Sequence, residues 1–152
     1  MLDLYAELSA LILRFERDAV PYALCGGMAM AVHGFVRATE DIDLLVPPES
    51  LGRALDAARA AGFDIENEPA VFVGGAVPLR RVCKAEPEAG DLLALDLLVV
   101  TPATAAIWDS RVRVPWEHGT LTVVSGEGLI ALKSLRNNVQ DRADIAHLRG
   151  EE

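Results

Sequence analysis

Tyr22-Ala23-Leu24-Cys25-Gly26-Gly27-Met28-Ala29-Met30-Ala31-Val32-His33-Gly34-Phe35-Val36-Arg37-Ala38-Thr39-Glu40-Asp41-Ile42-Asp43-Leu44-Leu45-Val46 begins as a short apolar run and stops at two glycines. It resumes as an Ala-rich stretch of helical spacing and closes as an apolar strand, Glu40 to Val46, that carries acids. The order is strand, glycine turn, helix, strand. In Asp41-Ile42-Asp43-Leu44 a strand's period of two sets both carboxylates on one face and Ile42 and Leu44 on the other. Two carboxylates side by side repel and raise each other's pKa, so the pair wants a counter-ion. A hard divalent cation such as Mg²⁺ supplies one with oxygen ligands. Taken alone, the same pattern also describes solvated acids flanking a turn.

Two further features narrow that choice. Asp96 sits inside Leu92-Leu93-Ala94-Leu95-Asp96-Leu97-Leu98-Val99-Val100, where an isolated buried carboxylate costs several kcal/mol unless a cation or hydrogen-bond donors meet it. Its partner is either a metal ion shared with Asp41 and Asp43 or an arginine. If its strand lies beside theirs, three carboxylates converge and suit the two-metal arrangement of phosphoryl chemistry. Gly26 and Gly27 stand just before a helix, so backbone amides and a positive helix end can approach a phosphate without side-chain obstruction.

Outward from this segment, Leu2, Tyr5, Leu8, Leu11, Ile12 and Phe15 recur at helical spacing and predict an amphipathic helix from about Asp3 to Asp18. Pro47 and Pro48 end the acid-bearing strand, and Leu51, Leu55, Ala58 and Ala61 carry a helix to Gly62. Phe63 to Val73 reads as one or two short strands near an edge, with a turn at Gly74 and Gly75. Leu79 to Ala85 and Asp91 to Val100 read as strands, the second buried on both faces. A short helix after Pro102 reaches Ser110. Arg111 to Val124 alternates in two halves around His118 and Gly119, a hairpin pattern, and Ser125 caps a helix carrying Leu129, Leu132 and Leu135. A last helix runs from Asp141 to Leu148. With no repeat, linker or low-complexity tract, residues 1–152 are expected to form a single α/β (α+β) domain, a mixed β-sheet flanked by helices.

Composition sets the outer limits. The 152 residues are 51% hydrophobic and 24% charged, with net charge −9, a balance that excludes disorder and argues against general electrostatic capture of nucleic acid. Two separated cysteines, Cys25 and Cys83, form no disulfide framework or CxxC metal site and read as buried thiols. No apolar run approaches the roughly 20 residues that span a bilayer, and the N-terminal stretch lacks a signal-peptide pattern, so a cytoplasmic protein is expected. His33, His118 and His147 have no metal-triad spacing. Trp108 and Trp116 read as packing residues.

The quoted segment resembles the signature of DNA polymerase β-like nucleotidyltransferases, and within them the abortive-infection, AbiEii-like branch. Leu129-Ile130-Ala131-Leu132-Lys133 followed by Gln140-Asp141-Arg142-Ala143-Asp144-Ile145 is similar to that branch's C-terminal helices. The resemblance implies a nucleotidyltransferase fold and Mg²⁺-dependent transfer of a nucleotidyl group from a nucleoside triphosphate to a hydroxyl. It implies that Asp41, Asp43 and Asp96 are catalytic and hold the metals, two of them by the superfamily's pattern. Gly26, Gly27, Arg37 and Lys133 are the implied nucleotide contacts. An RNA acceptor such as tRNA, and an antitoxin partner protein, follow from the toxins of this branch.

The chain departs from the pattern in two places. Gly26-Gly27 stands where many members have Gly-Ser, and Asn137-Asn138-Val139 stands where the branch often has Gly-Arg. Transfer to a small hydroxylated molecule, as in antibiotic-modifying enzymes, and a degenerate domain binding nucleotide or a partner without catalysis are the competing readings. Arg80, Arg81, Lys84, Arg111 and Arg113 are open between an acceptor groove and charges that discourage edge-to-edge aggregation. Asp141 and Asp144, three apart on one helix face, are expected to favour the helix N-terminus electrostatically rather than to act in catalysis.

Overall fold

The computed structural model of the chain describes residues 2–36, 39–72, 77–88, 90–117 and 119–150. Helix α1 (Leu4–Arg17) starts where the Asp3 side chain accepts from the amides of Tyr5 and Ala6, and it buries Leu8, Leu11, Ile12 and Phe15. Strand β1 (Ala23–Cys25) leads without a connecting loop into α2 (Gly26–Val32). The expected two-residue glycine turn is therefore one residue, Gly26, whose φ of +70° reverses the chain at once. Strand β2 (Asp41–Val46), α3 (Leu51–Ala60), β3 (Ile65–Glu66), β4 (Ala70–Phe72), β5 (Val77–Ala85) and β6 (Leu92–Val99) follow. Then come α4 (Ala105–Asp109), the hairpin β7 (Val112–Trp116) and β8 (Gly119–Val123), α5 (Gly126–Arg136) and α6 (Val139–Leu148). The predicted turn at Gly74-Gly75, Arg37 and His118 lie outside the described residues.

Among the described residues the strands form one eight-stranded mixed sheet in the order β3-β5-β6-β2-β1-β8-β7, with β4 paired to β5. Strand β2 runs parallel to β6 and antiparallel to β1, while β1 is parallel to β8. The parallel β2–β6 register is what builds the centre of the molecule, because it sets Asp43 directly beside Asp96 and Asp41 beside Ala94. Strand β5 is antiparallel to β6 and sets Arg81 opposite Asp96. Strands β3 and β4 pair with Val82–Cys83 and Val77–Leu79 of β5, and the Asn67 amide bonds the Arg81 carbonyl, so the outer side of β5 at Arg81 is not a free edge.

The core runs through α1, β1, β2, β6 and α3, with Phe15, Leu24, Ile42, Leu44, Leu95 and Leu97 fully buried. Helices α1 and α3 pack together and against β2 and β6, and α5 packs on α4 and α6. Phe15 meets Tyr22 edge-on, ring centroids 6.0 Å apart. Cys25 and Cys83 are free and buried, as expected. Trp108 and Trp116 pack against the core cluster, and His33 bonds the Val124 carbonyl at 2.8 Å. None of the described helices is long and apolar enough to cross a membrane.

Candidate active site

An open cleft of about 450 Å³ lies over the carboxylate face of β2 and β6, lined by Gly26, Gly27, Thr39, Glu40, Asp41, Asp43, Leu79, Arg81, Asp96, Lys133, Arg136 and Gln140. Six of the seven sequence-predicted residues therefore converge, and the seventh, Arg37, is outside the described residues. Period two on β2 turns Asp41 and Asp43 the same way, and the parallel register adds Asp96 from the neighbouring strand. Gly26 closes this arrangement from β1: a Cβ built there would overlap the Asp43 carboxylate. Both the positive φ and that close approach require glycine.

The three acids differ in surroundings. Burial pushes the Asp43 carboxyl up from 3.8 to about 7, the carboxylates of Asp96 and Asp41 push in the same direction, and Arg136 and Lys133 oppose them. Asp41 is raised as well, by burial first, with Arg81 pulling it down. Asp96, side chain 9% exposed, is met by a bidentate guanidinium: Arg81 Nε donates to Oδ1 at 2.7 Å and a terminal nitrogen donates to Oδ2 at 2.9 Å. The same guanidinium comes within 3.6 Å of Asp41. Of the two partners open to Asp96 from its sequence, the structure supplies the arginine.

The wall opposite the sheet comes from α5 and α6. Lys133 is 5% exposed, and its ammonium donates to Asp144, 0% exposed, at 2.9 Å. Gln140 donates to the other Asp144 oxygen at 2.8 Å. Arg136 forks onto Asp141 with two bonds of 2.7 Å. Burial alone would raise the Asp141 carboxyl, but the Arg136 fork and the Asn138 backbone amide outweigh it and hold the carboxyl below its ordinary value. Asp141 and Asp144 thus anchor two of the three cleft cations, Arg136 and Lys133. The expectation that they act chiefly on the helix end holds only in part, for Asp141, which also closes a capping box with Asn138.

Below the cleft a cavity of about 40 Å³ separates Asp43, Cys25 and Gly26 from Leu129, Leu132, Lys133 and Arg136. Of the five cations open to an acceptor-groove role, Arg81 alone lines the cleft. Lys84 bonds Glu7 at 2.8 Å, Arg111 stacks on the Trp108 ring at 4.0 Å, and Arg113 bonds Thr120. Arg136 and Gln140 were not identified from the sequence. Arg136 lies three residues after Lys133, one helical turn away, and that spacing was the available signal.

The donor set fits a divalent cation in part. Asp41 and Asp43 offer oxygens on one face, and the Asp43 carboxyl, raised first by burial and then by the Asp96 and Asp41 carboxylates, packs into the space that a Cβ at Gly26 would fill. Among the described residues no three His, Cys, Asp or Glu side chains form a ready-made metal cage. Arg81, seated on Asp96, takes up the third acid.

A family model described as nucleotidyl transferase AbiEii toxin of type IV toxin–antitoxin systems matches residues 8–133. No functionally curated protein matches the chain by sequence. Among solved structures, JHP933 from Helicobacter pylori is 18% identical with a TM-score of 0.62, and the match covers 96% of this chain. The chain spans 64% of the length of JHP933. A candidate nucleotidyltransferase from Thermotoga maritima is 13% identical with a TM-score of 0.59, covering 95% of this chain and 91% of that one. ANT(2″)-Ia in complex with adenylyl-2″-tobramycin is 16% identical with a TM-score of 0.52, covering 94% of this chain and 95% of that one. At these identities the likeness is one of fold.

Proposed function

Because the chain belongs to the AbiEii nucleotidyl transferase toxin family, we propose that it transfers a nucleotidyl group from a nucleoside triphosphate to a hydroxyl acceptor in the cleft over β2 and β6. The observation that carries this reading is the convergence of Asp41, Asp43 and Asp96 with Gly26 and Gly27 at the start of α2 and with Lys133 and Arg136 in one cleft. Phosphoryl transfer is mainly in-line positioning plus charge stabilisation, and this residue set supplies both.

Asp41 and Asp43 would hold a divalent metal, Mg²⁺ by their oxygen donors, and such an ion would supply charge neutralisation for the triphosphate. Gly26 and Gly27 let the phosphates approach the backbone closely. Lys133, kept in place by Asp144, and Arg136, kept by Asp141, face the phosphates with positive charge whose direction is fixed in advance. Asp96 completes the site on the acceptor side. The acceptor oxygen attacks the α-phosphorus as its proton passes to the Asp96 carboxylate, and the bond from the α-phosphorus to the bridging oxygen breaks so that pyrophosphate leaves.

An RNA such as tRNA is the leading acceptor, on the resemblance to toxins of this branch, and the toxin–antitoxin family suggests an antitoxin partner. The acidic rim formed by Glu40 and Asp41 favours instead a small amino-bearing hydroxyl compound, the second reading. Incubation with each α-labelled ribonucleoside triphosphate and Mg²⁺, in parallel with total RNA and with an aminoglycoside, separates them by which acceptor takes up label. Asp43→Asn is expected to abolish measurable transfer while remaining folded, because it removes a charge that would hold the metal. Full transfer by that variant would overturn the assignment, and label on neither acceptor, with triphosphate still bound, would favour the non-catalytic domain.

A further inference from the structure

Arg81 sets its positive charge against two of the three cleft acids, Asp96 and Asp41. It stands opposite Asp96 in the antiparallel β5–β6 register, and both oxygens of that carboxylate accept its N–H groups, at 2.7 and 2.9 Å. The guanidinium also lies 3.6 Å from Asp41. An arginine does not lose its proton at any ordinary pH, so this positive charge leaves only if the side chain moves. Its side chain is 40% exposed, at the mouth of the cleft, and has solvent to move into. The other two cleft cations are committed to Asp144 and Asp141 on α6.

The charge balance follows from these contacts. Ionised, as a bound cation would make them, Asp41, Asp43 and Asp96 carry three negative charges beside the one positive charge of Arg81, with Glu40 a further acid on the lining. A single divalent ion on Asp41 and Asp43 would bring these four side chains, Arg81 included, to neutrality. A second divalent ion needs the Asp96 oxygens, which Arg81 already engages, and it would lie in contact with a guanidinium of like sign. We propose, building on the metal-dependent reading above, that Arg81 is a resident substitute for the second metal ion. The resting site then accepts one divalent ion, and the second position opens only when Arg81 releases Asp96. A triphosphate favours that release in two ways: its negative charge stabilises the second ion, and its oxygens offer the guanidinium a bidentate partner to replace the carboxylate. Arg81 is thus a positioning residue that couples metal loading to the arrival of the donor nucleotide, so that the fully charged site exists only with nucleotide present.

The test counts ions rather than turnover. The full chain is titrated with Mn²⁺ and the free ion is read by electron paramagnetic resonance, with circular dichroism confirming that each variant is folded. Without nucleotide the wild-type chain is expected to bind one Mn²⁺ tightly, and two with adenosine 5′-(α,β-methylene)triphosphate. Arg81→Gln is expected to bind two without nucleotide, the second at least tenfold more tightly than in wild type. Arg81→Gln combined with Asp96→Asn returns to one. Should Arg81→Gln not fold, Arg81→Lys, which keeps the charge but cannot fork, is expected to admit the second ion at lower concentration than wild type. Two tight ions in the nucleotide-free wild type, or an unchanged count in a folded Arg81 variant, overturns the proposal and leaves nucleotidyl transfer standing. No Mn²⁺ bound by wild type even with the analogue overturns the metal-dependent reading itself.

Discussion

Asp43 carries the least favourable charge in the cleft, and its cost is measurable as a pH dependence. Its folded-state pKa near 7 lies above the ordinary 3.8, so folding takes up a proton between those values. The stability this group contributes is present in full below about pH 4 and is lost as the pH rises towards 7. Asp41 is shifted in the same direction, whereas the lowered Asp141 contributes stability that is lost only as the pH falls below the ordinary carboxylate range. Thermal melts of the metal-free protein are therefore expected to show a melting temperature that declines from about pH 5 to about pH 8. Asp43→Asn should flatten the decline, and an equally steep decline in that variant would refute the buried Asp43 carboxyl as its cause. The gathering of these acids was legible in the sequence, because period two places Asp41 and Asp43 together and an apolar strand announces a buried Asp96. The partner of Asp96 was not, since only the β5–β6 register, a long-range property, chooses Arg81 over Arg80.

Helices α5 and α6 act as one element, each useless to the cleft without the other. Ser125 caps the first, Asn137 ends it in the left-handed region at φ 51°, and Asn138 at once caps the second. The chain thereby doubles back and brings Asp141 and Asp144 onto Arg136 and Lys133. Removing one partner of a buried ion pair strands the other charge without solvent, at a cost of about 3–5 kcal/mol. Asp144→Ala is thus expected to lose that much in urea unfolding, and Lys133→Met with Asp144→Leu to lose clearly less. Equal losses in the two variants would mean the pair has no such role. Sequence periodicity found both helices but began the second at Asp141 rather than Val139. That late start made its acids look like charges at a helix end, whereas Asn138 as cap places Asp144 within the helix, facing α5. The two asparagines that depart from the family's Gly-Arg pattern are the residues that make this turn.

At the scale of the whole molecule, the central strands β1, β2 and β6 are shared between the core and the cleft. Ile42, Leu44, Leu95 and Leu97 are fully buried, while Asp41, Asp43 and Asp96 on the same strands line the cleft. We therefore expect the chain to unfold as one cooperative unit, consistent with a single domain. Phe15→Ala, made in α1 away from the cleft, should lower one transition by about 3–5 kcal/mol. The fluorescence of Trp108 in α4 and Trp116 in β7 should follow backbone circular dichroism throughout, and separated transitions would divide the chain into independent parts. Alternating strand and helix patterns foretold the mixed sheet, but its order was not readable, because strands β1, β2, β6 and β8 become neighbours across long intervening segments. That order has a consequence for biosynthesis. Gly26 and Gly27 come from the start of α2, the paired acids from β2, the third acid from β6, the anchored cations from α5 and their anchoring acids from α6, so each part waits for the next to be made. A chain still emerging from the ribosome holds no assembled cleft until α6 is complete, and the order of synthesis itself keeps the unfinished chain silent.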